Sequence, residues 1–412
     1  MQTNLVQSLR ETAEGREADA ILRSCVHCGF CLATCPTYQL LGDELDSPRG
    51  RIYLMKQVLE GALPTAKTQQ HLDRCLTCRA CESTCPSGVQ YGRLVDIGRH
   101  LVEEHVGRSG ASSLVRWALR KLVPNRALFG AAFRLGRVVR PLLPQSLQSK
   151  LPDVRPAGPW PAPRHARKML LLDGCVQPAM APSINAATAR LLDALGISLI
   201  RVRSAGCCGA VSHHLSAREE ALAQARRNVD AWWPAIRAGA EAVVVTASGC
   251  GTMVQEYGHL LGHEVGYVDK ALEVSRSFRD VSQVVAAEQS SLAKLLRKSS
   301  NSVPTRVAFH SPCSLQHGLK IRGVVESLLT AAGYELTYVP DGHLCCGSAG
   351  TYSLLEPELS GRLLANKLSA LQSDTPELIA TANIGCLTHI QSGSAIPVRH
   401  WIELLADRVA PV

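Results

Sequence analysis

Apolar residues in roughly the first hundred positions recur at helical rather than alternating spacing. The segments Leu5 to Leu22, Gly50 to Glu60 and Leu94 to His105 place apolar side chains three or four positions apart. This period puts them on one face of a helix, whereas a half-buried strand requires a period of two. The pattern therefore predicts a mostly helical N-terminal unit.

Beyond residue 164, short apolar runs alternate with helical stretches, and the whole order occurs twice. The first copy has predicted strands at Met169 to Leu172, Leu199 to Val202 and Ala242 to Thr246, with helices at about Ile184 to Leu195 and through Trp233. The second copy has predicted strands at Val307 to Phe309, Leu336 to Val339 and Leu378 to Thr381, with helices ending at about Ala332 and Leu371. Strands joined by helices through short turns predict parallel sheets with right-handed crossovers.

These patterns divide the chain into four predicted segments. A proline-rich connector, Leu151 to Pro163, marks the main boundary. The predicted limits are 1–106 for the helical unit, 107–163 for a basic helical segment with the connector, 164–290 for the first repeat and 300–412 for the second. The fold class is thus a multidomain α+β and α/β protein.

The basic segment has no Asp or Glu between His105 and Pro152 and accounts for much of the net charge of +9. Its basic residues are Arg108, Arg116, Arg120, Lys121, Arg126, Arg134, Arg137, Arg140 and Lys150, and apolar residues alternate with them. One interpretation is a pair of amphipathic helices on an anionic membrane surface or a partner. The other is ordinary helices that pack on a neighbouring domain with their basic faces in water. Nucleic acid is not expected, because no helix-turn-helix, RRM or finger pattern accompanies the charge.

Two copies of one cysteine spacing carry the most specific chemistry. They are Cys25-x2-Cys28-x2-Cys31-x3-Cys35-Pro36 and Cys75-x2-Cys78-x2-Cys81-x3-Cys85-Pro86. This run binds two 4Fe-4S clusters, and its fourth cysteine ligates the other cluster. The first cysteine set is therefore Cys25, Cys28, Cys31 and Cys85, and the second cysteine set is Cys75, Cys78, Cys81 and Cys35. Structural zinc is the alternative, but zinc has no use for this doubled run with proline.

Arg49 and Arg51 follow the first motif after a turn at Pro48. They are either solvated charges or cations that raise a cluster potential by offsetting thiolate charge. The 16 cysteines and the 46% hydrophobic content suit a cytoplasmic protein with reduced thiols. We expect no secretory signal and no membrane span, so any membrane contact would be peripheral, on the inner face.

Each repeat adds four cysteines beyond predicted strand ends, where open α/β sheets place their sites. The first-repeat quartet is Cys175, Cys207, Cys208 and Cys250, and the second-repeat quartet is Cys313, Cys345, Cys346 and Cys386. Each Cys-Cys pair is followed by a glycine, whose free φ lets both thiols turn to one centre. We predict a 4Fe-4S or zinc site in at least one repeat, with the second the stronger candidate, and buried inert thiols are the alternative.

Several histidines lie near these cysteines. His389 either completes the second site or packs beside it, whereas Met253 at the matching place is a poor ligand for iron. His310 either hydrogen-bonds a cluster sulfur or caps a strand. His213 and His214 are expected to be exposed, and no residue is assigned a catalytic role.

The chain resembles a known family in these phrases. They are LRSCVHCGFCLATCPTYQLLGDELDSPRGRIYLMKQVLEG, HLDRCLTCRACESTCPSGV, SGCGTMVQEYG, LCCGSAGTYS and TANIGCLTH. A bacterial-type di-cluster ferredoxin domain followed by two cysteine-rich CCG domains is similar to the iron-sulfur subunits of glycolate oxidases. The CCG pattern ends in Cys-x2-Cys, and each repeat here lacks its last cysteine, so five-cysteine clusters are not expected.

The resemblance implies an electron-transfer subunit of an oxidoreductase. Its partners would be an FAD-containing catalytic subunit that oxidises glycolate to glyoxylate and a second subunit with an FAD-binding fold, with a quinone or other membrane acceptor. This chain has no Gly-x-Gly-x-x-Gly strand-to-helix motif, so we expect no FAD or NAD on it. Alternatives are an iron-sulfur subunit of a D-lactate or glycerol-3-phosphate dehydrogenase, and a thiol-disulfide enzyme like heterodisulfide reductase.

Overall fold

The structure is a computed structural model that describes residues 1–142, 148, 151–296 and 305–409. Lys150 and the predicted domain limits at 300 and 412 lie outside the described residues. Among the residues described, no helix is both long and apolar enough to cross a bilayer.

The N-terminal unit is helical, as the apolar spacing predicts. Its helices are α1 (Gln7–Arg10), α2 (Ala13–Ser24), α3 (Pro36–Leu41), α4 (Pro48–Leu59), α5 (Ala66–Asp73), α6 (Ala80–Thr84) and α7 (Tyr91–Val106), with a 3-10 turn at Glu44–Asp46. The predicted helix from Leu5 to Leu22 is two helices, because the Thr12 side chain accepts from the Gly15 backbone N–H and starts a new helix there.

The basic segment forms helices α8 (Gly110–Leu122) and α9 (Arg126–Val139), followed by a 3-10 turn at Arg140–Leu142. Most of its basic side chains turn toward acidic residues of the body. The ion pairs are Arg108 with Asp73 and Glu103, Arg116 with Asp73, Arg120 and Lys121 with Glu220, Arg126 with Asp173, and Arg140 with Asp153. The counter-charge that this segment needs is therefore largely within the chain, although Lys121, Arg126, Arg134 and Arg137 also remain exposed to water.

The apolar side chains of this segment face outward instead. Trp117 is 52% exposed and Leu135 is 65% exposed. The other exposed apolar side chains are Leu114, Val115, Leu122, Leu128, Val138 and Leu142. We call this set the apolar face of α8 and α9.

The first repeat contains strands β1 (Arg167–Leu171), β2 (Ile197–Arg201), β3 (Val243–Val245) and β4 (Phe278–Asp280). Its helices are α10 (Gln177–Met180), α11 (Pro182–Ala194), α12 (Ala210–His214), α13 (Arg218–Arg237), α14 (Ser248–Gln255), α15 (Tyr257–Leu260), α16 (Val268–Ser277), α17 (Val281–Ala287) and α18 (Gln289–Leu296).

The second repeat contains strands β5 (Arg306–His310), β6 (Glu335–Leu336), β7 (Leu378–Thr381) and β8 (Val398–His400). A π turn spans Ser314–Gly318, and the helices are α19 (Val324–Ala331), α20 (Tyr352–Leu355), α21 (Pro357–Gln372), α22 (Ile384–Gln391) and α23 (Trp401–Asp407).

Both sheets are parallel and have the same topology. Their strand orders are β2-β1-β3-β4 and β6-β5-β7-β8. In register, Arg167 pairs with Ile197 and Val307 pairs with Leu378. The pattern predicts three strands in each repeat and misses β4 and β8, because each has polar residues at two of its three positions and so presents no apolar run.

Both faces of these sheets are buried, as parallel strands require. Along β1, Met169 and Leu171 enter one core cluster, while Leu170 and the following Leu172 enter another. The first of these clusters also contains Val307 and other residues of the second repeat. The two repeats therefore share one hydrophobic core, and the His400 ring bonds to the Thr246 carbonyl across it at 2.9 Å.

The N-terminal unit packs against both repeats. On the first repeat, Glu256 pairs with Arg79 and Arg93. On the second, the His317 ring contacts the Ser83 hydroxyl at 2.9 Å, and the Tyr352 hydroxyl donates to the Arg74 carbonyl at 3.2 Å. This docking places the cysteine motifs of the N-terminal unit beside the repeats.

Candidate iron-sulfur centres

The first cysteine set surrounds one pocket of about 450 Å³ that opens to solvent. Cys25, Cys28, Cys31 and Cys85 all line it, and so does Cys81 of the second cysteine set. Burial, together with Cys25, raises the pKa of Cys31 to about 11, and burial also raises the pKa of Cys25. Four cysteine sulfurs around one pocket suit an iron-sulfur cluster, which binds cysteines as thiolates.

The second cysteine set lies deeper. Burial raises the pKa of Cys78 and Cys81 well above that of an ordinary thiol. The neighbouring thiols of Cys75 and Cys35 raise both pKa values further. The Tyr91 hydroxyl donates to the Cys75 sulfur at 3.6 Å, and the Thr77 N–H donates to it at 3.4 Å. Bonds of this kind stabilise a thiolate and tune a cluster potential, so these residues also fit a 4Fe-4S cluster.

A buried ionic network holds Cys35 in place. The guanidinium of Arg51, 1% exposed, lies 3.2 Å from the carboxylate of Asp46, which is fully buried. It also donates to the Thr37 hydroxyl at 3.1 Å, and that hydroxyl lies 3.3 Å from the Cys35 sulfur. Arg51 is therefore a buried and paired cation rather than a solvated charge. It is linked through the Thr37 hydroxyl to Cys35, a proposed cluster ligand.

Arg49 has a different environment from Arg51. Its side chain is 34% exposed and pairs with Glu44 at 2.8 Å. The same side chain lies against Gly29, where an added Cβ would come within 2.9 Å of a guanidinium nitrogen. Arg49 thus covers one wall of the first pocket while remaining in contact with water.

The first-repeat quartet comes together beyond the carboxyl ends of β1, β2 and β3, three adjacent strands. Each thiol is hydrogen-bonded to the next in the order Cys175, Cys207, Cys208 and Cys250. Hydrogen bonds from Cys175 and Cys208 lower the pKa of Cys207. Met253 is buried beside this corner, near Gly209.

The second-repeat quartet has the same arrangement beyond β5, β6 and β7. Each of its thiols is hydrogen-bonded to the next in the order Cys313, Cys345, Cys346 and Cys386, and all four are buried. The Gly347 N–H donates to the Cys345 sulfur at 3.4 Å, and the Asn383 amide donates to the Cys386 sulfur at 3.6 Å. These donors point at sulfur as they do around bound clusters.

Each quartet depends on the glycine after its Cys-Cys pair. Gly209 has φ +98° and Gly347 has φ +89°, a region that side chains rarely adopt. A Cβ on Gly347 would also lie 2.7 Å from the Ser360 carbonyl oxygen. At Gly347 a larger residue is therefore excluded both by the backbone conformation and by this contact.

The histidines differ in their environments. His389 lies 3.2 Å from the Ser360 hydroxyl. His213 is paired with Asp96 at 3.2 Å and is not exposed, whereas His214 is exposed and 3.5 Å from the other oxygen of Asp96. Cys346 and Cys386 have a further imidazole within reach, that of His310.

The sequence interpretation missed Lys367 and Asp46. The buried Lys367 amine donates to the Asp341 carbonyl at 2.9 Å. Its charge lies close enough to Cys313, Cys345 and Cys346 for these thiols to oppose the lowering of its pKa by burial. A comparison of the two repeats position by position would have singled it out, since the matching residue in the first repeat is Val229. No local signal marks Asp46, whose partners come from several helices.

The second cysteine set and the second-repeat quartet are neighbours. The nearby Cys313 thiol raises the pKa of Cys78, and the Cys78 thiol in turn raises the pKa of Cys345. All three belong to one apolar cluster that also contains Leu76 and Tyr352. The docking of the N-terminal unit thus places a proposed cluster site directly beside the thiols of the second repeat.

Fold and cysteine arrangement together define an iron-sulfur protein. Residues 21–89 match the 4Fe-4S dicluster domain, and residues 169–255 and 307–391 match the cysteine-rich domain, in agreement with the predicted order of domains. The chain is 55% identical to the glycolate oxidase iron-sulfur subunit of Escherichia coli over 98% of both chains. It belongs to the family of glycolate oxidase iron-sulfur subunits, as the sequence resemblance predicts.

More distant relatives include a second iron-sulfur subunit and a lactate utilization protein. A probable glycolate oxidase iron-sulfur subunit of Bacillus subtilis is 30% identical over 94% of this chain and 92% of the relative. Lactate utilization protein A of Geobacillus thermodenitrificans is 25% identical over 58% of this chain and 99% of its own length.

Proposed function

We propose that this chain is the electron-transfer subunit of a glycolate oxidase complex. A flavin subunit would oxidise glycolate to glyoxylate, and the two electrons would leave the flavin singly through 4Fe-4S clusters on this chain. A quinone or another membrane acceptor would receive them. A second subunit with an FAD-binding fold would complete the complex.

One observation carries this proposal: three sets of thiols follow one another through the protein. Cys81 of the second cysteine set lines the pocket of the first set, so those two sites are adjacent. Cys78 in turn neighbours Cys313 and Cys345 of the second-repeat quartet. Clusters at these sites would form a continuous relay, and iron-sulfur clusters exchange electrons one at a time.

We assign cluster ligands as the spacing predicts. The first cysteine set would hold one 4Fe-4S cluster, the second cysteine set would hold another, and the second-repeat quartet would hold a further centre. The first-repeat quartet is the weaker site, because Met253, a poor ligand for iron, occupies the position that His389 has in the second repeat.

A thiol-disulfide enzyme is a less favourable function for these quartets. Cys207 and Cys346 are each 1% exposed, and Cys208 and Cys345 are also buried. A substrate thiol would have to open the core to reach them. Electrons reach a buried site without such opening, which favours electron transfer.

Attachment to the anionic inner surface of the membrane is assigned to the apolar face of α8 and α9. Trp117 and Leu135 project from helices whose inner sides are fixed by ion pairs, and the exposed Arg134 lies next to Leu135 in sequence. An amphipathic helix with aromatic and aliphatic residues outward and basic residues at its margin is typical of interfacial binding.

The test is to co-purify the chain with its flavoprotein partners and assay glycolate, D-lactate and glycerol 3-phosphate with an artificial acceptor and with a quinone. We expect glycolate to be the donor. In a Cys345→Ser, Cys346→Ser variant, glycolate should still reduce the flavin, but quinone reduction should fall at least about tenfold, since the relay is cut. The matched Cys207→Ser, Cys208→Ser variant is the control and should retain more activity. Another preferred donor, or full quinone reduction in the second-repeat variant, would contradict the proposal.

A further inference from the structure

We propose that the second repeat binds an iron-sulfur centre through a mixed ligand set, in which the imidazole of His310 joins the thiolates of the second-repeat quartet. This inference rests on the third centre of the proposed function and assigns it a ligand that the cysteine pattern does not contain. The ligand atoms of His310, Cys346 and Cys386 lie within 4.8 Å of one another, and all three residues are buried.

The sheet fixes this position. His310 is the last residue of β5, and its backbone pairs with Thr381, the last residue of the neighbouring strand β7. Strand β5 lies between β6 and β7 in the sheet, and Cys346 and Cys386 follow those two flanking strands. His310 therefore lies between the strands that lead to its two neighbouring thiols, and strand pairing rather than a mobile loop fixes its backbone there.

The two ring nitrogens of His310 require a partner that the surrounding protein does not supply. The residue is 1% exposed, and neither nitrogen has a hydrogen-bond partner in the part of the chain that the structure describes. Buried polar groups in proteins are nearly always paired. A metal beside Cys346 and Cys386 would be bound by one of these nitrogens.

The surroundings of the quartet also suit a cluster. The Lys367 amine is buried near Cys313, Cys345 and Cys346, so a cation lies beside the thiols and would offset the charge of a net negative cluster.

His389 does not fit this role equally well, although it occupies the sequence position of the missing cysteine. Its Nε2 lies 3.2 Å from the hydroxyl of Ser360, which donates to the Gly347 carbonyl at 2.8 Å. His389 thus braces the glycine corner and is the natural control for His310.

The first repeat lacks both features. Three residues before its lone cysteine stands Leu172 in place of His310, and Val229 occupies the position of Lys367. Both side chains are buried among apolar residues. The two repeats therefore share a fold and a cysteine quartet but differ in the groups that would complete a metal site.

The neighbouring site, rather than the number of donors, favours an iron-sulfur centre over zinc. Four protein ligands suffice for zinc and for a 4Fe-4S cube alike, so in a cube His310 would take the place of one thiolate. The neighbouring Cys78 belongs to a proposed cluster ligand set, which suits a redox-active group here. Replacement of thiolate by imidazole raises the potential of a cluster, so this centre would accept electrons from its neighbour.

The test uses the whole chain, purified without oxygen, as wild type and as His310→Leu, His310→Cys and His389→Leu. Iron, sulfide and zinc are measured per chain, and pulsed EPR is recorded on samples poised so that the highest-potential centre alone is reduced. With ¹⁵N-labelled histidine, the wild type should show nitrogen coupling to that centre and about twelve irons, against about eight for two 4Fe-4S clusters. His310→Leu should lose the centre and its share of iron.

The two remaining variants separate ligation from packing. His310→Cys should keep the iron, lose the nitrogen coupling and shift the centre to lower potential, which a packing role would not produce. His389→Leu should keep both iron and coupling. A centre without nitrogen coupling, coupling lost only in His389→Leu, or zinc in place of iron would overturn this ligand set while leaving the electron-transfer function standing. A wild-type chain with only eight irons would overturn the third centre itself, and with it this proposal.

Discussion

Replacing Asp46 by asparagine tests whether a buried charge network holds the second cysteine set. The carboxylate is fully buried and lies 3.2 Å from Arg51, 2.9 Å from Arg74 and 3.1 Å from the His71 ring. Asparagine keeps the shape of the side chain and removes the negative charge. Arg51 would remain buried and charged, because its pKa is raised in spite of burial by Tyr91, Cys75, Cys35 and Asp46.

The size of the effect follows from that burial. Removing one partner of a buried pair costs about 3–5 kcal/mol, because the other charge stays uncompensated. We expect about 3 kcal/mol for Asp46→Asn, at the low end, since Arg74 is 25% exposed and can turn to water. Arg51→Met should cost about 2 kcal/mol, because Asp46 keeps Arg74 as its partner. The double variant should cost less than the sum of the two.

The assay is urea unfolding followed by circular dichroism, without oxygen and at equal iron content, for both single variants and the double variant. Arg23→Gln is the control, since Arg23 is 60% exposed in its pair with Asp19 and should contribute under about 1 kcal/mol. EPR should show that Arg51→Met lowers the potential of the cluster held by the second cysteine set. A loss below about 1 kcal/mol for Asp46→Asn, or strict additivity in the double variant, would refute the reasoning.

Three further outcomes are expected. Cys85→Ser should damage the cluster of the first cysteine set and spare that of the second, and EPR showing the reverse would overturn the cross-ligation. Gly347→Ala should remove the metal of the second repeat and destabilise the chain by about 2 kcal/mol or more, since a Cβ meets the Ser360 carbonyl at 2.7 Å; unchanged iron content and unfolding midpoint would show that the corner relaxes. Trp117→Ser with Leu135→Ser should release the complex from vesicles containing anionic lipid with iron content unchanged, and undiminished sedimentation with vesicles would exclude the apolar face as the anchor.

Local chemistry in the sequence determined a large part of this protein. The cysteine spacing predicts two clusters, and apolar periodicity predicts the helical unit and the order of strands and helices in both repeats. The glycine after each Cys-Cys pair predicts a turn with positive φ, and Gly209 and Gly347 both adopt it. These features depend on residues close together in the chain, so a single stretch of sequence contains the whole cause.

Tertiary packing alone decided which charges are buried and what they face. The run of basic residues in α8 and α9 contains no sign of its partners, yet Arg116 meets Asp73 and Lys121 meets Glu220 within the same chain. The sequence left Arg51 open between a solvated charge and a cation near a cluster, and only its burial with Asp46 excludes the first. Sequence gives the sign of a charge, but its partner and its solvation depend on segments that fold against it from far along the chain.

The same reason explains the relation between the sites. Spacing along the chain groups cysteines into motifs, but it contains no distance between one domain and the next. Only the docking of the N-terminal unit onto the second repeat places Cys78 beside Cys313, and only the alignment of β5 with β7 brings His310 to Cys386. The sequence determined which residues can bind metal, and the packing of domains and strands decided which of them meet.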